Sequence, residues 1–324
     1  MIAITGAAGF IGSVLAWKFN SLNHNDLLLV DQKARNSPKW ENLKKRRYEI
    51  YLDSDDFLKR LQKNEFRGKI SALFHLGACS DTTQMDELFL RKNNSEYSEH
   101  LAAWCLDNNV YFCYASSAAT YGAGELGFSD NDGLTPKLKS LNPYGCSKLD
   151  FDNWVLKNGV QNKVVGLRYF NVYGPNEYHK GHMRSLVHKG FEQIQKEGSL
   201  RLFKSYKKEY PDGGQKRDFI YVKDALDAMI WLYQNPKVKG IFNLGTGRAQ
   251  SWNDLAAALF AACGKTQKIE YIDMPENLKN QYQYFTEADM IKLKKAGCPI
   301  NFCTLDLAVK DYVQTHLLKQ DPYL

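Results

Sequence analysis

Nowhere in the chain do roughly eighteen apolar residues run together without a charge, so no membrane span is expected. The seven cysteines, at 79, 105, 113, 146, 263, 298 and 303, are odd in number, scattered and without a CxxC pair. In a chain this long they read as reduced thiols of a cytoplasmic protein, not as a disulfide framework. The opening residues are apolar through Trp17 but lack a basic leader, and Gly6, Gly9 and Gly12 interrupt them. They read as a strand and turn, not a signal peptide. His179, His182 and His188 form HxxH followed by another histidine, yet no cysteine or acidic residue completes a zinc pattern, so no metal is expected. The six tryptophans show no alternation with basic residues of the kind that binds single strands. Of a net charge of +7, nearly all sits in Lys33–Arg47, where seven basic residues face only Glu41. The remainder is close to neutral, which excludes a broad nucleic-acid face but leaves one basic loop able to hold one phosphate. No internal repeat or low-complexity tract is visible.

What is present is an ordinary globular composition, 44% apolar and 24% charged over 324 residues. That length exceeds the ~250–300 residues at which one core usually stops growing, so one large or two closely packed domains are expected. Short aliphatic runs at Ile2–Thr5, Leu27–Val30, Tyr48–Leu52, Ala72–Leu76, Tyr111–Ser116 and Val164–Tyr169 alternate with stretches of helical periodicity such as Glu96–Asn108. This rhythm predicts an α/β Rossmann fold, a doubly wound parallel sheet covered on both faces, with a smaller C-terminal substrate-binding domain. The boundaries expected are 1–171 with 216–244 for the dinucleotide domain, and 172–215 with 245–324 for the second. Beyond Gly174-Pro175 the rhythm loosens, and it returns at Phe219–Val222 and Ile241–Leu244. Ser199–Gln215, rich in lysine and glycine, reads as an irregular surface excursion.

Between the first strand and a helical run beginning near Ser13 lies Thr5-Gly6-Ala7-Ala8-Gly9-Phe10-Ile11-Gly12. Three glycines in a strand–turn–helix context permit a tight turn, close approach of backbone N–H groups to a pyrophosphate, and close helix–strand packing. Asp31 closes the second strand, where a carboxylate accepts from a ribose 2′-hydroxyl, an arrangement that alone favours NAD. Lys33, Arg35 and Lys39 follow and offset repulsion between Asp31 and a 2′-phosphate, which turns the expectation to NADP with NAD as the alternative. At the end of the fourth strand, Gly77 and Ala78 in His75-Leu76-Gly77-Ala78-Cys79 are small enough to admit the dinucleotide.

Tyr144-Gly145-Cys146-Ser147-Lys148 places a phenol and an ammonium four residues apart, hence on one helical face. A phenol with a reference pKa of ~10 becomes a usable base when a cation stabilises its phenolate. Ser116-Ser117 ends a strand and offers a hydroxyl to the same substrate oxygen. Serine, tyrosine and lysine together suit hydride transfer, with Tyr144 taking the alcohol proton and Lys148 also holding the nicotinamide ribose.

With these residues in hand, the sequence resembles an extended short-chain dehydrogenase/reductase, and more narrowly the ADP-L-glycero-D-manno-heptose 6-epimerases. The motifs are TGAAGFIG at 5–12, HLGACSDTT at 75–83, YASSAATYG at 114–122, NPYGCSK at 142–148, RYFNVYGP at 168–175, HKG at 179–181, KRDFIYVKD at 216–224 and IFNLGTGRAQSW at 241–252, with Tyr282 and Thr286 in QYQYFTEAD. The resemblance implies transient oxidation of an exocyclic carbon of an ADP-heptose to a ketone, then hydride return to the opposite face, with a tightly bound cofactor regenerated each cycle. It implies two acid–base residues, Tyr144 and Lys180, supported by Ser117 and Lys148. The cofactor set it implies is Gly6, Gly9, Phe10, Ile11, Gly12, Asp31, Gln32, Lys39, Leu76, Gly77, Ala78, Cys79, Ser80, Asn93, Lys148 and Val172. The substrate set is Ser117, Asn171, His182, Lys189, Phe203, Arg217 and Tyr282, with Arg217 as a bidentate fork for the diphosphate. The resemblance also implies a homo-oligomer, such as a pentamer, working in lipopolysaccharide inner-core heptose supply. Leu76 stands where a glutamate is usual in that family, Ser54 where a lysine is, and His182 where a serine is, while Lys207–Gly214 has the look of an insertion.

Other readings are weighed by residue. A 4,6-dehydratase would carry an Asp-Glu pair where Ala118 and Ala119 stand. A UDP- or GDP-hexose 4-epimerase needs the same Ser/Tyr/Lys set but rotates its keto-sugar instead of using a second base, so Lys180 separates the two. A non-enzymatic dinucleotide sensor on the same fold would have no need of Tyr144 or Lys148.

Overall fold

The computed structural model describes residues 1–32, 37–279, 282–299 and 301–324. Its strands are β1 (Ile2–Thr5), β2 (Leu27–Asp31), β3 (Ile50–Asp53), β4 (Ala72–His75), β5 (Tyr111–Ser117), β6 (Val165–Tyr169), β7 (Asn171–Tyr173), β8 (Leu200–Phe203), β9 (Lys216–Tyr221), β10 (Gly240–Leu244), β11 (Ala249–Ser251) and β12 (Ile269–Ile272). Seven form one parallel sheet in the order β10-β6-β5-β4-β1-β2-β3. The expected doubly wound α/β sheet is therefore present.

Its strands are largely apolar because both faces are covered. Along β1, Ile2 and Ile4 enter one core cluster while Ala3 enters the other, and in β2 Leu27 and Leu29 oppose Leu28 and Val30 in the same way. Chain order reverses between β1 and β4, so the connections leaving their carboxyl ends run to opposite faces of the sheet and leave the crevice in which open α/β sheets bind ligands.

Beyond the main sheet, β9 pairs in parallel with β7 and antiparallel with β11, and β12 pairs with β8. Two sequence expectations change here. Val222 opens the helix Val222–Gln234 and does not end a strand. Nor is 199–215 wholly irregular: it begins with β8, whose register with Ile269–Ile272 is made by residues some seventy positions away. The span also ends on a wholly buried Gln215. Local composition carries no trace of that distant partner.

Candidate active site

The glycine-rich turn is dictated by close contacts. Gly6 has φ +66°, and a Cβ there would lie 2.6 Å from the amide nitrogen of Gly77. A Cβ on Gly12 would lie 2.2 Å from the carbonyl oxygen of Gly6. Both positions require glycine, the first to let the ends of β1 and β4 approach and the second to seat the helix on the turn. That helix, Phe10–Ser21, is preceded by Gly9 with no side-chain cap, so its first amides are directed to the cleft without a competing partner.

Asp31, 5% exposed, accepts from the amides of Ala8 at 2.9 Å and Gln32 at 2.8 Å. It thereby ties the turn to the end of β2. The Lys39 ammonium stands 3.7 Å from the same carboxylate. Lys33 and Arg35, the other two cations expected at this corner, lie outside the described residues.

The helix Pro143–Lys157 starts where it does because the Asn142 side chain accepts from the Gly145 amide at 2.8 Å and Pro143 occupies the first turn. Tyr144 and Lys148 then face one cleft of about 1110 Å³, which is also lined by Ser117 and Lys180. Lys148, 6% exposed, donates to the Ala115 carbonyl at 2.9 Å. Burial lowers its ammonium to about 8, with Asp152 one turn further along opposing that fall. Burial raises the Tyr144 phenol, while its hydrogen bond with Ser117 acts in the other direction. Burial thus favours the protonated phenol, and a positive charge beside it would favour the phenolate.

The two serines closing β5 divide their work. Ser117 bonds Tyr144 and accepts from the Ala119 amide at 3.1 Å. Ser116 donates to Asp152 at 2.9 Å.

Lys180 sits in the short helical turn Tyr178–Met183, which is broken at Gly181 by φ 54° and ψ −123°. Its Nζ stands 5.6 Å from the centre of the Phe10 ring, and burial lowers its ammonium against the opposing charge of Glu177. Two amines and a phenol, each moved from its ordinary range by desolvation, thus share one cavity, the usual signature of acid–base machinery.

Every expected cofactor residue lines this cleft, as do Asn171, His182, Lys189, Phe203 and Tyr282. Arg217 does not. It is 7% exposed and stacks behind the wall, 5.2 Å from the Tyr282 ring and 5.7 Å from that of Trp252. His182 is exposed at the mouth, 3.9 Å from Asp81, and its carbonyl accepts from Lys189 at 3.3 Å.

Sequence reasoning passed over several lining residues. Arg201 alternates with Phe203 along β8 and so shares its face, a period-two signal that was available once the strand was recognised. Trp252, whose indole donates to the Tyr282 hydroxyl at 2.8 Å, and Asp81 and Thr82 stood inside quoted motifs without a role. Of the three histidines, His179 meets Asn42 at 3.1 Å and His188 meets Arg184 at 3.1 Å. Among the described residues no three His, Cys, Asp or Glu side chains are grouped to hold a metal ion.

Residues 2–245 match the model of the NAD dependent epimerase/dehydratase family. The chain belongs to that family. Members named ADP-L-glycero-D-manno-heptose-6-epimerase resemble it along its whole length: one from Nitratidesulfovibrio vulgaris (strain DP4) is 50% identical with both chains fully covered. Another, from Fusobacterium nucleatum subsp. nucleatum, is 46% identical, again with both fully covered. Among solved structures, the Helicobacter pylori ADP-L-glycero-D-manno-heptose-6-epimerase superposes with TM-score 0.79 at 29% identity, covering 97% of this chain and 95% of that one. The Bacillus cereus UDP-glucuronic acid 4-epimerase, in complex with UDP-glucuronic acid and NAD, shares the fold with TM-score 0.74 at 23% identity over 97% of this chain and 99% of that one. The protein is an enzyme of the epimerase kind, as its resemblance implied. No helix among the described residues is long and apolar enough to cross a membrane.

Proposed function

We propose that this family member interconverts ADP-D-glycero-D-manno-heptose and ADP-L-glycero-D-manno-heptose at C6, in the cytoplasm, for lipopolysaccharide inner-core heptose supply. The observation that carries the reading is that Tyr144 and Lys180, from separate elements, face one cleft in a chain half identical to enzymes of that name. A nicotinamide dinucleotide, when bound, accepts hydride from the exocyclic carbon and returns it to the opposite face. The turn fits such a group, since Gly6, Gly9 and Gly12 line the cleft and the helix that follows Gly9 carries no side-chain cap on its first amides. NADP is favoured because the Lys39 ammonium beside Asp31 offsets carboxylate–phosphate repulsion.

Tyr144 exchanges the substrate hydroxyl proton on one face. Ser117 holds the reacting oxygen, and Lys148 supplies the positive charge that makes the phenolate accessible. Lys180 exchanges the proton on the other face, its amine brought toward neutrality by burial. Asn171, Phe203, Lys189, His182 and Tyr282 bind the nucleotide sugar, and Arg217 braces Tyr282 from behind while remaining the candidate for the diphosphate. Residues 1–171 with 216–244 hold the dinucleotide and 172–215 with 245–324 the sugar nucleotide, in a homo-oligomer such as a pentamer.

The test is to denature the purified protein, identify the released nucleotide by mass, and incubate the native protein with ADP-D-glycero-D-manno-heptose before separating the 6-epimers. Released NADP with approach to one epimer mixture from either side supports the reading. Released dinucleotide with no heptose turnover overturns the substrate and directs the search to UDP- and GDP-hexoses.

A further inference from the structure

We infer that Glu177, a buried carboxylate that does not line the cleft, is the positioning residue for Lys180, closing the turn that Asn176 and Asn42 hold against the glycine-rich loop. The inference rests on the proposed acid–base role of Lys180.

Glu177 is 1% exposed, and its carboxylate accepts from the Gly174 amide at 3.3 Å, the Ser185 amide at 2.5 Å and the Ser185 hydroxyl at 2.7 Å. One side chain thus closes both ends of the segment that bears Lys180. Its own carbonyl accepts from the Lys180 amide at 3.0 Å, fixing where that side chain departs.

The neighbouring Asn176 secures the other side. It is wholly buried at φ +73°, a left-handed conformation that asparagine adopts more readily than other non-glycine residues. Its side-chain Nδ2 donates to the Ser13 hydroxyl at 3.1 Å, which donates in turn to the Phe10 carbonyl at 3.0 Å. Asn42 donates to the carbonyls of both Asn176 and Ala8, at 3.2 and 2.9 Å. The circuit closes where Lys180 Nζ stands over the Phe10 ring. The amine and the dinucleotide loop are therefore held as one unit, and a carboxylate with three donors is the part of that unit most sensitive to change.

The experiment compares Lys180→Ala, Glu177→Gln and the double variant in purified protein with its dinucleotide bound, following turnover, KM, nucleotide content and thermal midpoint. If the clamp acts through Lys180, Glu177→Gln lowers kcat by about 100-fold, the scale of an ångström-sized displacement of a reacting group, with KM and nucleotide content unchanged. The double variant is then no slower than Lys180→Ala, because residues acting as a unit do not add. Ser185→Ala, which removes one of the three donors, gives the same pattern with a smaller loss and serves if Glu177→Gln does not fold. Losses that multiply in the double variant, or an unchanged kcat in Glu177→Gln and Ser185→Ala, overturn the clamp while leaving the role of Lys180 intact. Full activity in Lys180→Ala overturns that role, and the clamp with it.

Discussion

Asp152 accepts from Arg168 Nε at 2.8 Å, and neither side chain has any exposure to solvent. Tyr114 and Ser116 donate to the same carboxylate, each at 2.9 Å, while Arg168 also donates to Tyr121 and Thr135. Asp152 lies one helical turn beyond Lys148, so the structural core and the candidate active site share a charge.

Removing one partner leaves the other buried and unpaired. Asp152→Ala should therefore cost about 3–5 kcal/mol, read from urea unfolding. A loss below about 1 kcal/mol would mean that water or another acceptor takes over from Asp152.

The lowered ammonium of Lys148 makes a prediction about pH. In the proposed mechanism its protonated form supports the Tyr144 phenolate, and above about 8 that form is lost, so kcat/KM should be sustained below this value and fall above it. His75 nearby is held neutral by burial, down at about 3, and Tyr144 is raised, so neither supplies this limb. Lys148→Arg retains its charge throughout and should abolish the alkaline fall, whatever its effect on the maximal rate. A profile unchanged in Lys148→Arg would assign the limb to another group.

Tyr144→Phe keeps the ring and deletes the proton. Turnover should drop by roughly 10²–10⁴-fold while the released nucleotide remains stoichiometric. Full activity would remove Tyr144 from the chemistry.

Backbone contact, not charge, governs the glycine turn. Gly12→Ala places a Cβ 2.2 Å from the Gly6 carbonyl, whereas at Gly9 the corresponding distance is 3.1 Å. Gly12→Ala should lower stability by about 1–3 kcal/mol and strip the dinucleotide during purification, with Gly9→Ala milder on both counts. The ordering of the two variants, measured by thermal unfolding and nucleotide content, is the check.

Much of this site was legible along the chain because its parts are local. The turn at 5–12, the carboxylate closing β2 and the Tyr144/Lys148 spacing each depend on dihedral preference or helical periodicity within a few residues. The strands from β1 to β6 were legible for a related reason, since burial of most of their residues on both faces leaves short, largely apolar runs. By contrast, β8 and β12 are short and partly polar, and each is a strand only because the other lies beside it.

The sequence by itself determined the sheet, the dinucleotide turn and the helical face of Tyr144 and Lys148, because each follows from steric and periodic rules acting over short distances. Tertiary structure alone decided that Ser117 bonds Tyr144 while Ser116 donates to Asp152, that Arg217 lies behind Tyr282, that Glu177 closes the segment from Gly174 to Ser185, and that Asn176 joins the Lys180 turn to Ser13 and Asn42. These outcomes depend on which buried donors and acceptors find partners across the fold, a requirement that burial imposes and linear order does not record.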